Sequence, residues 1–151
     1  MDRVEQIIKE ISTLMPKMAR KMHRGFLSYS KLSVSQLAIM LAIFEQGMTK
    51  AGNLSKIMGV SAPSITGIVD RLVRANYIKR IPDEKDRRAI NLALTKKGQA
   101  EVKNLTRRVQ GRWRSIIRGL EPKDREMYLE ILKKILNVLE KQNSDFDLIK
   151  E

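Results

Sequence analysis

Residues 61–88 narrow the possible folds of this chain more than any other stretch. Ser61 suits a helix N-cap, and Pro63 falls in the first turn of the helix that follows, where a missing N–H does no harm. Ile65, Ile68, Val69 and Leu72 recur at helical spacing and predict one buried face. Ser64, Thr66, Asp70, Arg71 and Arg74 fall on the opposite face, and such groups read base edges and phosphates. Residues 77–81 and 89–94 are short β-compatible runs, the second alternating apolar and polar from Ile90. They are joined by a polar, turn-rich loop over 82–88 with Arg87 and Arg88 at its tip. A short polar helix beside a basic hairpin is the predicted unit.

Charge supports that emphasis. Lys and Arg total 30 against 17 Asp and Glu, a net charge of +13, and such an excess draws a polyanion by displacing its condensed counterions. Residues 61–99 hold nine basic and four acidic side chains, whereas 121–151 hold six and eight, so the positive charge coincides with the proposed reading unit. Residues 100–120 add six basic groups against one acid without an evident purpose. At 151 residues the chain is long enough to bury a core as one structural domain. Four prolines and 5% aromatic residues lean it towards helix. Without cysteine there is no disulfide and no thiol redox chemistry. A single histidine, His23, is too few for a nucleophile–base set or a typical zinc site, so neither catalysis nor a cofactor is expected. The sequence has no run of 18 apolar residues and no signal-peptide layout, which predicts a soluble, cytoplasmic protein without membrane partners.

Along the chain, Val4, Ile7, Ile8, Ile11, Leu14, Met15, Met18 and Met22 predict an amphipathic helix over 3–28, interrupted at Pro16. So long a terminal helix needs a cover from outside the domain, and a partner subunit is the natural one. Ser33 with Gln36 forms a capping box for a second helix, with Leu37, Met40, Leu41 and Phe44 as its apolar face and Gly47 as its end. A short third helix is predicted over about residues 50–58, with Leu54, Ile57 and Met58 inward, Gly59 in the turn and Val60 packed beneath. Thr95 caps a fifth helix reaching about residue 117, and Pro122 opens a sixth. Its apolar set, Met127 to Leu139, is wider than one face, as for a helix buried against several neighbours. Short helix, glycine turn, longer helix and hairpin together make a winged helix-turn-helix: a mainly α fold with a small β-hairpin wing.

The residues also resemble the MarR family of transcriptional regulators. The resemblance lies in Val69-Asp70-Arg71-Leu72, Arg80, Asp83-Glu84-Lys85-Asp86-Arg87-Arg88 and Leu94-Thr95-Lys96-Lys97-Gly98, and extends in helix order over nearly the whole chain. It implies a homodimer clasped by helices at 1–32 and 118–151, a winged helix-turn-helix lobe at 33–99, and a connecting helix at 100–117. Each subunit would then address half of a palindromic operator in double-stranded DNA, commonly as a repressor released by a small, often phenolic, anionic ligand. Arg88 matches the residue that family members insert in the minor groove, where narrow width enhances the negative potential. Asp83 and Asp86 would shape the wing and hold its arginines. Candidate DNA contacts are therefore Ser61, Pro63, Ser64, Thr66, Arg71, Arg74, Lys85, Arg87 and Arg88.

Two positions depart from the family pattern. Gly67 follows Thr66 where many members carry arginine, which implies close packing or close approach to DNA. Asn76 replaces the usual glycine before the first wing strand, a benign change because asparagine tolerates the left-handed conformation. Met15, Met18, Met22, Phe26 and Trp113 are candidates to line an effector pocket, or are ordinary core. Lys17, Arg20, Arg24 or Arg112 would neutralise an anionic effector, and His23 reads as a surface or packing residue. The competing reading is an architectural protein that binds DNA with little sequence preference and senses nothing, which Gly67 favours.

Overall fold

A computed structural model describes residues 2–26, 30–86 and 88–148, without the side chains of 23–26 and 143–148. In chain order the elements are α1 (Arg3–Phe26), α2 (Val34–Gln46), β1 (Thr49–Lys50), α3 (Ala51–Met58), α4 (Ala62–Arg74), β2 (Ile78–Pro82), β3 (Ile90–Leu94), α5 (Lys96–Arg118) and α6 (Pro122–Leu148). The strands form an antiparallel sheet in the order β1-β3-β2. The chain divides into two compact units, residues 1–109 and 110–151.

The core of the first unit is aliphatic. Ile39, Met40, Ile43, Leu54, Ile65, Leu72, Ile78 and Val102 are fully enclosed, so α2, α3, α4, β2 and the first half of α5 meet around one centre. Local signals set the helix starts. Ser33 accepts from Gln36 N while the Gln36 side chain accepts from Ser33 N, closing the capping box. Gly59 ends α3 in the left-handed conformation.

Packing overrides several apolar assignments. Phe44, Ile57 and Val60 are 42%, 53% and 40% exposed, so none lies inward as expected, whereas Ile39 and Ile43 do. The reason is that α2 is packed on more than one side, and its periodicity alone does not rank one apolar stripe over another. Two-residue β1 was not expected. It pairs Thr49 with Leu92 and Lys50 with Asn91, widening the anticipated hairpin into three strands.

Between α4 and β2 the chain turns through Asn76 at φ 62°. The turn is held by Asn76 N to Val73 O and Tyr77 N to Leu72 O, both at 2.9 Å. Strands β2 and β3 then pair from Ile78 with Leu94 to Pro82 with Ile90. Pro82 is tolerated because β2 is an edge strand.

The long helices differ in kind from this core. Helix α1 continues through Pro16, so the expected interruption does not end it. Seven of its large apolar residues, Val4 to Met18, are 42–57% exposed. In the second unit, the Arg125 guanidinium caps the end of α5 by donating to Leu120 O at 2.9 Å and Arg118 O at 3.3 Å. Eight large apolar residues of α6, from Met127 to Leu139, are 41–58% exposed, so the expected burial against several neighbours is not met within one chain.

Candidate nucleic-acid interface

Helix α4 buries Ile65, Val69 and Leu72 and turns its other face outward. Its first turn is held by Ser61, which accepts from Ser64 N at 3.4 Å and shares a hydroxyl–hydroxyl bond with Ser64 at 2.8 Å. Thr66 Oγ1 donates to Ala62 O at 3.0 Å, and Arg71 Nε donates to Gly67 O at 3.2 Å. Pro63, Ser64, Thr66, Arg71 and Arg74 are all exposed. By helical geometry Pro63, Gly67 and Arg74 lie opposite the buried stripe, at the centre of the outward face.

Gly67 has no packing role. A β-carbon there would have no neighbour within 4 Å, which removes close packing within the chain as its explanation. Yet glycine in a helix interior costs about 0.5–1 kcal/mol relative to alanine.

The wing is joined to this helix by an ion pair between Asp70 on α4 and Arg80 on β2. Ten residues separate the two, and sequence reading assigned Asp70 to the outward face without naming its partner. The pair leaves Asp70 neutralised beside Arg71 and Arg74.

At the tip of the hairpin, Asp83 organises the loop. Its Oδ1 accepts from Lys85 N at 2.9 Å and Asp86 N at 3.0 Å, while Oδ2 accepts from Asn91 Nδ2 at 3.1 Å and faces Lys50 Nζ at 3.5 Å. Asp86 accepts from Arg88 N at 3.0 Å. Among the described residues Asp83 bonds main chain and Asn91, and Asp86 bonds main chain; the expected hold on the Arg87 side chain lies outside the described residues. The physical reason is proximity, since a carboxylate at a turn start reaches the N–H groups two and three residues on. Lys85 and Arg88 are exposed, and Arg87 lies outside the described residues.

The Asp83 carboxyl is held at about 2, below its usual 3.8, first by the Lys85 and Asp86 N–H groups and then by Asn91 and Lys50. A carboxyl lowered in the folded state stabilises above its unfolded pKa and loses that effect as pH falls through the folded one. The Asp83 side-chain carboxyl carbon shift should accordingly stay flat from pH 8 to about 4 and titrate only near 2. In Asp83→Ala the Lys85 and Asp86 amide shifts should already take displaced values at neutral pH. An Asp83 midpoint near 4 in the wild type would contradict this network.

Comparison with known proteins decides the classification. A sequence profile of the MarR family matches residues 32–90. The HTH-type transcriptional regulator YpoP of Bacillus subtilis is 30% identical over 96 residues, covering 62% of this chain and 68% of that protein. The chain belongs to the MarR family. The transcriptional repressor MdtR of Bacillus subtilis is 28% identical over 108 residues, or 70% of each chain. The crystal structure of Streptococcus pneumoniae FabT in complex with DNA superposes at a TM-score of 0.79 with 24% identity, covering 91% of this chain and 99% of FabT. That likeness establishes the winged-helix fold.

Three residues of this MarR-family chain were missed as functional supports. Lys97 Nζ donates to Ala75 O at 2.7 Å and lies 4.2 Å from the centre of the Tyr77 ring. Thr95 Oγ1 donates to Asn76 O at 2.6 Å and accepts from Gly98 N at 3.0 Å. Gly98 lies directly under the Tyr77 carbonyl. Together they clamp the exit of α4 to the first turn of α5, which is the physical content of the Leu94-Thr95-x-x-Gly98 motif. The motif itself was the available signal.

The candidate effector residues are divided between the two units, Met15, Met18 and Met22 in the first and Trp113 in the second. Met15 and Met18 are 57% and 46% exposed, and Met22 is half-buried. The side chains of Phe26, His23 and Arg24 lie outside the described residues. Trp113 packs on Tyr128 with ring centres 5.8 Å apart. No group of three or more potential metal ligands occurs among the described residues, and no described helix is long and apolar enough to cross a membrane.

Proposed function

We propose that this regulator is a cytoplasmic, homodimeric, sequence-specific DNA-binding protein that represses transcription until a small anionic aromatic ligand releases it. One observation carries the reading. The outward face of α4 and the exposed wing tip belong to a single lobe, tied together by the Asp70–Arg80 pair. A helix for the major groove and a basic hairpin for the adjacent minor groove then dock as a unit. Ser61, Pro63, Ser64, Thr66, Arg71 and Arg74 would contact the major groove or its phosphates, with Lys85, Arg87 and Arg88 serving from the wing.

Dimerisation through residues 1–32 and 118–151 is supported by the apolar residues that α1 and α6 expose. Exposed apolar area of that extent marks an interaction surface. A second copy would cover it and hold two recognition helices about 34–36 Å apart, one turn of duplex. Sedimentation should show a dimer at micromolar concentration, and a stable folded monomer would be fatal to this part of the reading.

Selection of bound sites from random duplex DNA is the direct test, and it should enrich a palindrome. Log affinity should fall steeply with log salt as phosphate contacts release counterions; a flat dependence would contradict the reading. Specific sites should bind at least about 10³-fold tighter than bulk DNA. A ratio near one would favour the architectural alternative. Small aromatic carboxylates and phenols are the compounds to screen for release.

A further inference from the structure

We propose that Pro63 and Gly67 form a notch in α4 that receives the C5 methyl group of a thymine, making Gly67 a specificity-determining position. The inference rests on the DNA-binding reading above and assigns chemistry to one part of that surface. Its starting point is the contrast between two helical glycines. A β-carbon at Gly98 would lie 2.1 Å from Tyr77 O, so the fold demands that glycine. A β-carbon at Gly67 would meet nothing within 4 Å, so nothing among the described residues demands this one. Gly52 and Gly111 share that open space, but neither lies on the helix that presents the polar face. Glycine is among the poorest residues for a helix interior, yet Gly67 occupies the centre of the outward face of α4, where a duplex would lie.

The surroundings say what kind of group fits. Pro63 is one turn earlier on the same line, exposed, and without a donor on its ring or nitrogen. Gly67 adds bare backbone, and its carbonyl is already occupied by Arg71 Nε. The hydroxyls on either side are turned into their own helix, Ser64 towards Ser61 and Thr66 towards Ala62 O. The strip between them is small, shallow and poor in hydrogen-bonding groups. Of the features that base pairs present in the major groove, the thymine methyl is the apolar one. The Nε bond also steadies the Arg71 guanidinium along the edge of the notch, leaving its terminal nitrogens to reach acceptors on a neighbouring guanine.

The test uses the full-length protein and the operator it selects from random DNA. Each thymine of that operator is replaced singly and symmetrically by deoxyuracil, which deletes the methyl and nothing else. For the wild type, one such replacement should weaken binding about fourfold per half-site, the effect of roughly one buried methyl group. In Gly67→Ala the unmodified operator should bind at least tenfold more weakly, and the same uracil replacement should make little difference. The alanine variant should also melt at the same temperature as the wild type or slightly higher, which separates lost contact from lost fold. Full affinity of Gly67→Ala, or indifference of the wild type to uracil at every position, would overturn the notch while leaving a sequence-specific regulator in place. Failure of the wild type to enrich any motif would remove the DNA-binding specificity itself, and the notch with it.

Discussion

Gly98→Ala is expected to destabilise the protein by about 1–3 kcal/mol or more, lowering its melting temperature by roughly 5–10 °C. The added methyl would be centred 2.1 Å from Tyr77 O, 3.1 Å from Tyr77 C and 3.3 Å from Leu94 Cδ2. A flexible side chain would move aside, but this obstacle is main chain. The Tyr77 carbonyl is held on both sides, accepting from Thr95 N at 3.0 Å while Tyr77 N donates to Leu72 O at 2.9 Å. Lys97 adds a third hold through Ala75 O and the Tyr77 ring. Relief therefore requires α5 to separate from the α4–β2 turn, with partial exposure of Leu94 and Val102, which are now 5% and 0% exposed.

The control is Gly111→Ala in the same helix, where a β-carbon has no neighbour within 4 Å. That change should be neutral or stabilising by up to about 1 kcal/mol, as helix propensity dictates. Thermal unfolding followed by circular dichroism, at matched protein concentration, checks both. If Gly98→Ala melted within a degree of the wild type, the clamp would be refuted. Because the same clamp sets where the wing leaves α4, surviving Gly98→Ala protein should also bind its operator less tightly.

Arg88→Ala should leave folding and self-association unchanged and cost about tenfold to a hundredfold in operator affinity at each wing, the range for a charge-assisted hydrogen bond. The main chain at Arg88 is held by Asp86 Oδ1 at 3.0 Å, so the loop keeps its shape when the side chain is shortened. The side chain itself is exposed, which limits the effect on stability to a few tenths of a kcal/mol. A dimer carries two wings at well-separated sites, so the two losses add as free energies. Arg88→Lys should recover part of the affinity, since a lysine brings the charge without the planar fork. Mobility-shift titration at fixed salt provides the measurement. Near-normal binding by the alanine variant would count against insertion of the wing.

These two positions differ in how much of their role was legible in the sequence. Exposure of Arg88 was legible from local chemistry, because a polar loop between two β-compatible runs predicts a solvent-facing turn, and the Arg88 side chain is exposed. Helix starts were legible for the same reason. Ser33 with Gln36, Ser61 with Pro63, and Thr95 each complete a cap within three residues, and the structure forms these caps as expected. Interactions of such short range depend on neighbours that the chain itself supplies.

The remainder was settled by packing. Strand β1 is two residues long, too short for alternation to reveal, and exists because β3 offers it a partner. Asp70 finds Arg80, Lys97 finds Ala75, and the Gly98 site finds the Tyr77 carbonyl, across separations of 10, 22 and 21 residues. Periodicity marked Phe44 and Ile57 as apolar but left them exposed while enclosing Ile39 and Ile43. The sequence by itself determined where helices begin, where charge accumulates and which family the motifs resemble. Only the tertiary structure decided which apolar faces are covered and which glycine the fold requires, because those depend on what lies within a few ångströms in space rather than along the chain.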